Sequence, residues 1–461
     1  MQKKEYNLFP LVSFFWASAI IFHLLSCTWM SYNTSINFSI IGPLEVFLFF
    51  TCLFQIYKPS SLKTFLLIAL LQVLDFWLNL PNVPNHRLIF ALLNISFLLV
   101  YLKNRKISSK DFFHAISPYL RITTLILYFF ATFHKLNSDF FNPENSCCLV
   151  FYNHILDSIS FFPKGDIVYF LLPIITIITE AALPIMLFFK RSRNIAILLG
   201  LVFHFFLALD LSKHFFDFSS TVFALYLGFF DESQIERLSL RIRKIIQLKY
   251  FNYAIILLAA ISFSFLMTVN SELTAHIYYV SRAFLWWTYS LTIIFIFVLS
   301  SSRNWQGNSL ELFSNFKFNY FIFSLIILLN GFSPYLGLKT RTAFDMYSNL
   351  QISDKSSNHF VIPFSFDILG YQSDVVQILE TDNNTLNNEY LNNNLGITFY
   401  ELRKILSESP STRIKYLRLN QVYDYAKAEE NPELVKKLSY LQRKLIAFRP
   451  VDLKTPSRCI W

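Results

Sequence analysis

Residues 167–189 read IVYFLLPIITIITEAALPIMLFF, an apolar block whose one acidic or basic side chain is Glu180. At 1.5 Å of rise per residue, such a block is long enough for a helix to cross a hydrocarbon core of about 30 Å. Comparable blocks lie near 8–27, 41–57, 62–79, 87–102, 122–138, 194–211, 216–230, 253–270, 278–300 and 318–337. Backbone groups in lipid must bond internally, so each block is expected to be helical. The blocks at 41–57 and 216–230 are short, and a tilted, re-entrant or protein-buried helix is open for either. The reading is an all-α polytopic membrane helix bundle of about eleven spans, joined to a small C-terminal α+β extramembrane domain.

Composition agrees, with 54% hydrophobic, 18% aromatic and only 15% charged residues. A soluble enzyme would carry far more charge. Lys and Arg should collect on the cytoplasmic side of the spans. Lys3 and Lys4, Lys58 and Lys63, Lys103 to Lys110, Lys190 to Arg193, Arg237 to Lys249, and Arg303 with Lys317 all fall on one predicted face. The loops at 28–40, 138–166 and 271–277 hold almost no basic residues. The N-terminus is therefore expected in the cytoplasm and the C-terminal domain outside. The net charge of +10 is an orientation signal spread over several loops, which argues against nucleic-acid binding. The first block ends in Leu24-Leu25-Ser26-Cys27 without a small-residue cleavage pattern and is read as a span.

The chain changes character after Phe344. Domains are expected at 1–340, helical and transmembrane, and 341–461, extracytoplasmic. In the tail, Val375–Leu379 reads as a strand, and Thr398–Leu406 and Pro432–Ala447 as helices. Gly331, Pro334 and Gly337 are placed to break the last span as it leaves the membrane. Arg449 is a candidate for a buried ion pair. Cys27 and Cys52 read as packing residues. Cys147, Cys148 and Cys459 fall on the oxidising side, where Cys459 could bond to Cys147 or Cys148, the vicinal pair could be redox-active, or the thiols could stay free. No Walker loop, dinucleotide fingerprint, His-Glu-x-x-His or Cys-x-x-Cys occurs, and His134, His154, His204 and His214 match no metal template, so no metal is predicted.

Ionisable residues within spans are costly and become functional candidates. They are Asp75, His134, Lys135, Glu180, His204, Asp210 and Arg282. Glu180 and His204 lie about nine and ten residues from the inner ends of their spans, at nearly one depth, and are expected to be able to bond. Lys135 sits about one turn from an outer end. There it either snorkels to the headgroups or, in an apolar cavity, loses solvation of its charged form and becomes a base.

The run Tyr128-Phe129-Phe130-Ala131-Thr132-Phe133-His134-Lys135-Leu136-Asn137-Ser138-Asp139-Phe140 resembles the signature segment of the horizontally transferred transmembrane (HTTM) family, the vitamin K-dependent gamma-carboxylase-like membrane proteins. Thr179-Glu180-Ala181-Ala182-Leu183-Pro184, Gly200-Leu201-Val202-Phe203-His204, Phe218-Ser219-Ser220 and Asn85-His86 are similar to further segments of that family, together covering roughly 8–300. The resemblance implies a quinol-dependent membrane enzyme of the lyase type in a bacterial inner membrane, its active site facing the extracytoplasmic side. Lys135 would be the base, with His134, Glu180 and His204 beside it and a reduced, vitamin K-like quinone as cofactor. Besides membrane lipid, the partner implied is an extracytoplasmic protein or peptide substrate. His134 and Asn137 depart from the family's lysine and acid, and Tyr101-Leu102-Lys103-Asn104-Arg105 replaces its histidine-aromatic segment. The enzyme reading expects an apolar cavity beside Lys135. The alternative, a non-catalytic scaffold or transporter-like protein with a partner-binding outer domain, expects Lys135 lipid-facing or salt-bridged without such a cavity. Residues Asn330–Thr340 and Phe344–Leu350 with Asn358-His359 form a second local pattern, in which Asn349, Asn358 and His359 are candidates to roof that cavity.

Overall fold

The computed structural model describes residues 7–26, 41–159, 161–209, 215–231, 234, 237, 248–267, 272–301, 310–314, 316–317, 321–345, 347–353, 356–454 and 456–460. Cys27, Asp210, His214, the loop 28–40 and the loop cations Lys3, Lys4, Arg241, Arg243, Lys244 and Arg303 lie outside the described residues.

Every expected apolar block contains a helix. In chain order these are α1 (Phe9–Ser26), α2 (Ile41–Tyr57), α3 (Leu62–Asn79), α4 (Asn85–Lys103), α5 (Ser109–Phe133), α6 (Cys147–Ser158), α7 (Asp166–Phe188), α8 (Arg193–Leu207), α9 (Phe215–Tyr226), α10 (Leu248–Met267), α11 (Glu272–Ser301) and α12 (Phe321–Gly331). Among the described residues, six helices are long and apolar enough to cross a membrane: α1, α3, α4, α5, α7 and the part of α11 from His276. The other apolar helices are shorter, among them α2 and α9, the blocks expected to be short.

Two corrections concern α5 and α6. Helix α5 starts at Ser109, well before the apolar block, and ends at Phe133. Asp111 in its first turn accepts from Ser108 Oγ, and further along Arg121, 1% exposed, donates to the carbonyls of Leu312, Gly228 and Ser314 at 2.6, 3.0 and 2.9 Å. Helix α6 was not expected, since its twelve residues CCLVFYNHILDS are too short and too mixed to read as a span.

The chain divides into two compact units. The first comprises Met1–Leu78, His86–Ile126 and Ala182–Leu325. Helix α1 is its centre, with 89% of its apolar window buried, packed against α2 and α9. Trp16 stacks on Phe90 with centroids 4.0 Å apart and donates to Asn94 Oδ1 at 3.0 Å; Asn94 in turn donates to Gln72. Trp16, Asn94 and Gln72, brought inside by α1, α4 and α3, are thus bonded among themselves. Outward faces are apolar, as Leu67, Leu70, Leu74 and Trp77 of α3 show. Contiguous exposed apolar faces on long helices are what a lipid solvent requires and what water penalises.

The second unit comprises Asn79–Asn85, Leu127–Ala181 and Ile326–Trp461, so the tail folds with the segment that carries Lys135 and with most of α7. A five-stranded antiparallel sheet has the order β6-β5-β3-β4-β7, with β3 Val375–Thr381, β4 Leu395–Thr398, β5 Ile414–Arg418, β6 Gln421–Tyr425 and β7 Val451–Asp452. Strands β1 (Ile352–Ser353) and β2 (Ser356–Ser357) form a separate hairpin. Leu419 and Asn420 both take positive φ between β5 and β6, the geometry that matches a two-residue turn to the strand twist. Helix α13 (Phe399–Glu408), capped by Thr398 accepting from Glu401 N, covers the sheet with Leu402 and Leu406 against Val376, Ile378, Ile397 and Ile414. The helix expected over Pro432–Ala447 is two short ones, Pro432–Val435 and Tyr440–Leu445, because Lys436 turns extended (φ −61°, ψ 113°).

The exit from α12 needs its glycines. A Cβ on Gly331 would come 2.2 Å from the Phe130 ring, and Gly337 has φ +67° against Asp367. Arg449 closes the same region through a 2.8 Å ion pair with Asp345, which is fully buried.

Candidate functional site

Helix α5 ends at Phe133, and the chain continues in a tight turn in which Lys135 N bonds Thr132 O and Asn137 N bonds Lys135 O. The turn aims Lys135 at α7. Its Nζ donates to both oxygens of Glu180, at 2.8 and 2.6 Å, with side chains 13% and 9% exposed. Glu180 lies on the one face of α7 that is buried, while Ile175, Ile178 and Ile185 point outward. Beside the pair, Cys148 Sγ lies 3.3 Å from Thr176 Oγ1, one turn before Glu180, and the Phe140 ring sits 5.9 Å from the ammonium. Three chain segments therefore converge on one buried polar spot among apolar side chains.

The tail frames the Lys135 turn. His359 bridges Asn137 in a β-type contact and places its Nε2 2.7 Å from Phe133 O; its Nδ1 accepts from the amides of Val361 and Ile362. Burial holds this imidazole below its ordinary pKa. Asn349 Oδ1 accepts from Cys147 N at 2.7 Å, Asn358 donates to Asn349 O, and Asn137 donates to Ser348 O. The expected roof residues Asn349, Asn358 and His359 thus brace the turn and the start of α6. His134 is fully buried, 3.0 Å from Tyr335 Oη and stacked on Phe130, a packing position rather than an open one.

Cys147 and Cys459 form a disulfide, Cα atoms 4.8 Å apart, which excludes a vicinal Cys147–Cys148 pair. Cys148 is a free thiol, pushed up to about 11 by burial. Of the two cavities described, one is lined by tail residues including Asp345, Arg449 and Asp452, the other by residues of α1, α2, α3, α4 and α9; Lys135 lines neither. His204 belongs to the first unit, its Nδ1 3.5 Å from Ser219 Oγ and its ring edge-on to Phe218. Depth along a helix set the level of Glu180 but not its azimuth, and its carboxylate meets Lys135.

A second constellation, in the first unit, was not read from the sequence. Asp217 in the first turn of α9 places Oδ2 2.7 Å from His23 Nδ1 in the last turn of α1 and 2.8 Å from His86 Nε2 in the first turn of α4. Ser26 Oγ donates to the same oxygen at 2.7 Å. Asp75 and Arg87 pair with each other beside it. The available signal was positional, since each member lies within one turn of a helix end in an apolar block. Arg282, another span candidate, is held over the rings of Phe216, Tyr278 and Tyr279.

No family model, curated protein or solved structure matches this chain.

Proposed function

We propose that this chain is an integral membrane protein of about eleven spans, N-terminus cytoplasmic and C-terminal domain extracytoplasmic, in a bacterial inner membrane, and that it is a carboxylase-like, quinol-dependent enzyme. Support for the topology comes from the helices at every apolar block and the alternation of basic loops. The Lys135–Glu180 pair carries the catalytic reading, because two buried charges in an apolar helix region cost desolvation that packing residues would not. The base is then the pair rather than Lys135 alone. An ammonium is no base, but transfer of its proton to Glu180 gives a neutral amine and a neutral acid at no change in net charge. The neutral amine would then be the group of this chain that takes up a hydroxyl proton, the acid that a reduced quinone would supply when bound.

One observation favours the second reading, a scaffold or transporter-like protein whose outer domain binds a partner. The pair is closed on itself and lines neither described cavity. Thermal unfolding of purified protein with a panel of reduced quinones separates the two. Saturable stabilisation, weakened in Lys135→Ala, is expected of the enzyme. No shift across the panel, with Lys135→Ala indistinguishable from wild type, would leave the scaffold reading.

A further inference from the structure

We infer that His23, His86 and Asp217 form a binding site for one divalent transition-metal ion of the zinc or iron(II) class within the helical unit. Two imidazole nitrogens and a carboxylate oxygen, all within 4.8 Å of one another, are a donor set that suits such ions. Tetrahedral bonds of 2.0–2.2 Å place donor atoms about 3.3–3.6 Å apart, so the 2.7 and 2.8 Å contacts must open by about half an ångström or more, and the two imidazole nitrogens, within 4.8 Å of each other, must draw together around the ion.

Three features point to a ligand rather than a hydrogen-bonded clamp. Asp217 is 3% exposed, and its Oδ1 has no hydrogen-bond partner among the described residues, an expensive state for a carboxylate oxygen away from water. His86 Nε2 approaches Oδ2 to 2.8 Å without the alignment of a hydrogen bond. A small cavity of about 10 Å³ is lined by all three residues together with Gln72, Asp75 and Arg87, so the empty space converges on the donor atoms and is on the scale of a single ion or water. Asp75 and Arg87 pair with each other, so Asp217 is the carboxylate left to meet the ion's charge, with both imidazoles neutral as ligands. Ser26 Oγ on Oδ2 is the outer partner that fixes the carboxylate's orientation. The three ligands come from α1, α4 and α9, so the ion would also tie together helices remote in sequence. The site is independent of the Lys135–Glu180 reading.

The test uses full-length protein in detergent, stripped with chelator and titrated with Co²⁺ as the spectroscopic probe. One Co²⁺ per chain should survive gel filtration, give visible ligand-field absorption and be displaced by Zn²⁺. His86→Cys should add a sulfur-to-metal charge-transfer band, and Asp217→Asn should weaken binding by at least about 100-fold, beyond the range typical of outer-shell changes. His154→Ala, in the other compact unit, should change nothing. Should His86→Cys or Asp217→Asn fail to fold, Ser26→Ala should still weaken binding about 10- to 100-fold. Failure of the wild type to retain Co²⁺, or a spectrum and affinity unmoved by all three ligand-site changes, would overturn the assignment and leave a His–Asp–His clamp.

Discussion

Replacing Lys135 with Met leaves Glu180 facing apolar side chains without its counter-ion. Both side chains are largely buried, at 13% and 9% exposure, and both carboxylate oxygens accept from the one ammonium. Removing one partner of such a pair costs about 3–5 kcal/mol. The Phe140 contact at 5.9 Å adds about 0.5–1 kcal/mol at most. Protonation of the orphaned carboxyl caps the loss, which places Lys135→Met toward the lower end of that range. The double variant Lys135→Met/Glu180→Gln has no buried charge left, and replacing a buried pair by neutral groups of similar volume is often close to neutral. Its stability should therefore return to within about 1 kcal/mol of wild type. Unfolding by SDS titration in mixed micelles, followed by circular dichroism, gives the four corners of the cycle. Losses that simply add, so that the double variant is worse than either single one, would refute the coupling. If the pair is a catalytic base, the recovered double variant should be stable yet lose the quinol response that the wild type shows, whereas a structural clamp gives no quinol response in either.

Three further outcomes follow from the tail and its neighbours. In unreduced folded protein Cys147 and Cys459 should resist alkylation, and Cys148, with its thiol near 11, should react slowly at neutral pH and faster as pH rises; rapid labelling of Cys148 at pH 7 would contradict its burial. His359 has a folded pKa below its unfolded one, so the unfolded state binds more protons between the two values, and stability conferred by the neutral ring is present above about pH 6.5 and lost as pH falls toward the folded pKa. Thermal unfolding measured from pH 7.5 to 5 should show this loss, and His359→Phe should show a flatter profile. Arg449→Met strands the fully buried Asp345 and removes bonds to the carbonyls of Asp345 and Leu350, a cost of about 3–5 kcal/mol that adding Asp345→Asn should largely relieve, measured by the same SDS titration.

The expected helices were legible because each lies in an apolar block, and β3 and α13 because alternation and an N-cap threonine are local signals. What was not legible depended on tertiary partners. Pro118, Lys110 and Asp111 hide the first turns of α5, whose Arg121 is satisfied by carbonyls far along the chain. Lys436 ends a helix that composition alone would extend to Ala447. Lys135 and Glu180 were each visible as costly residues in apolar surroundings, but their pairing needed the rotation of α7 and the turn after α5. His23 and Asp217 were not among the candidates, because no local pattern links residues 194 positions apart.

Infrared difference spectroscopy of quinol binding tests the central claim most directly, because it reads the protonation state of a buried carboxyl group. Proton sharing between Lys135 and Glu180 predicts a protonated carboxyl band that grows when reduced quinone is added to the purified protein and is missing in Glu180→Gln. A quinol-bound spectrum with no carboxyl change, or one whose change persists in Glu180→Gln, would contradict the pair as the base.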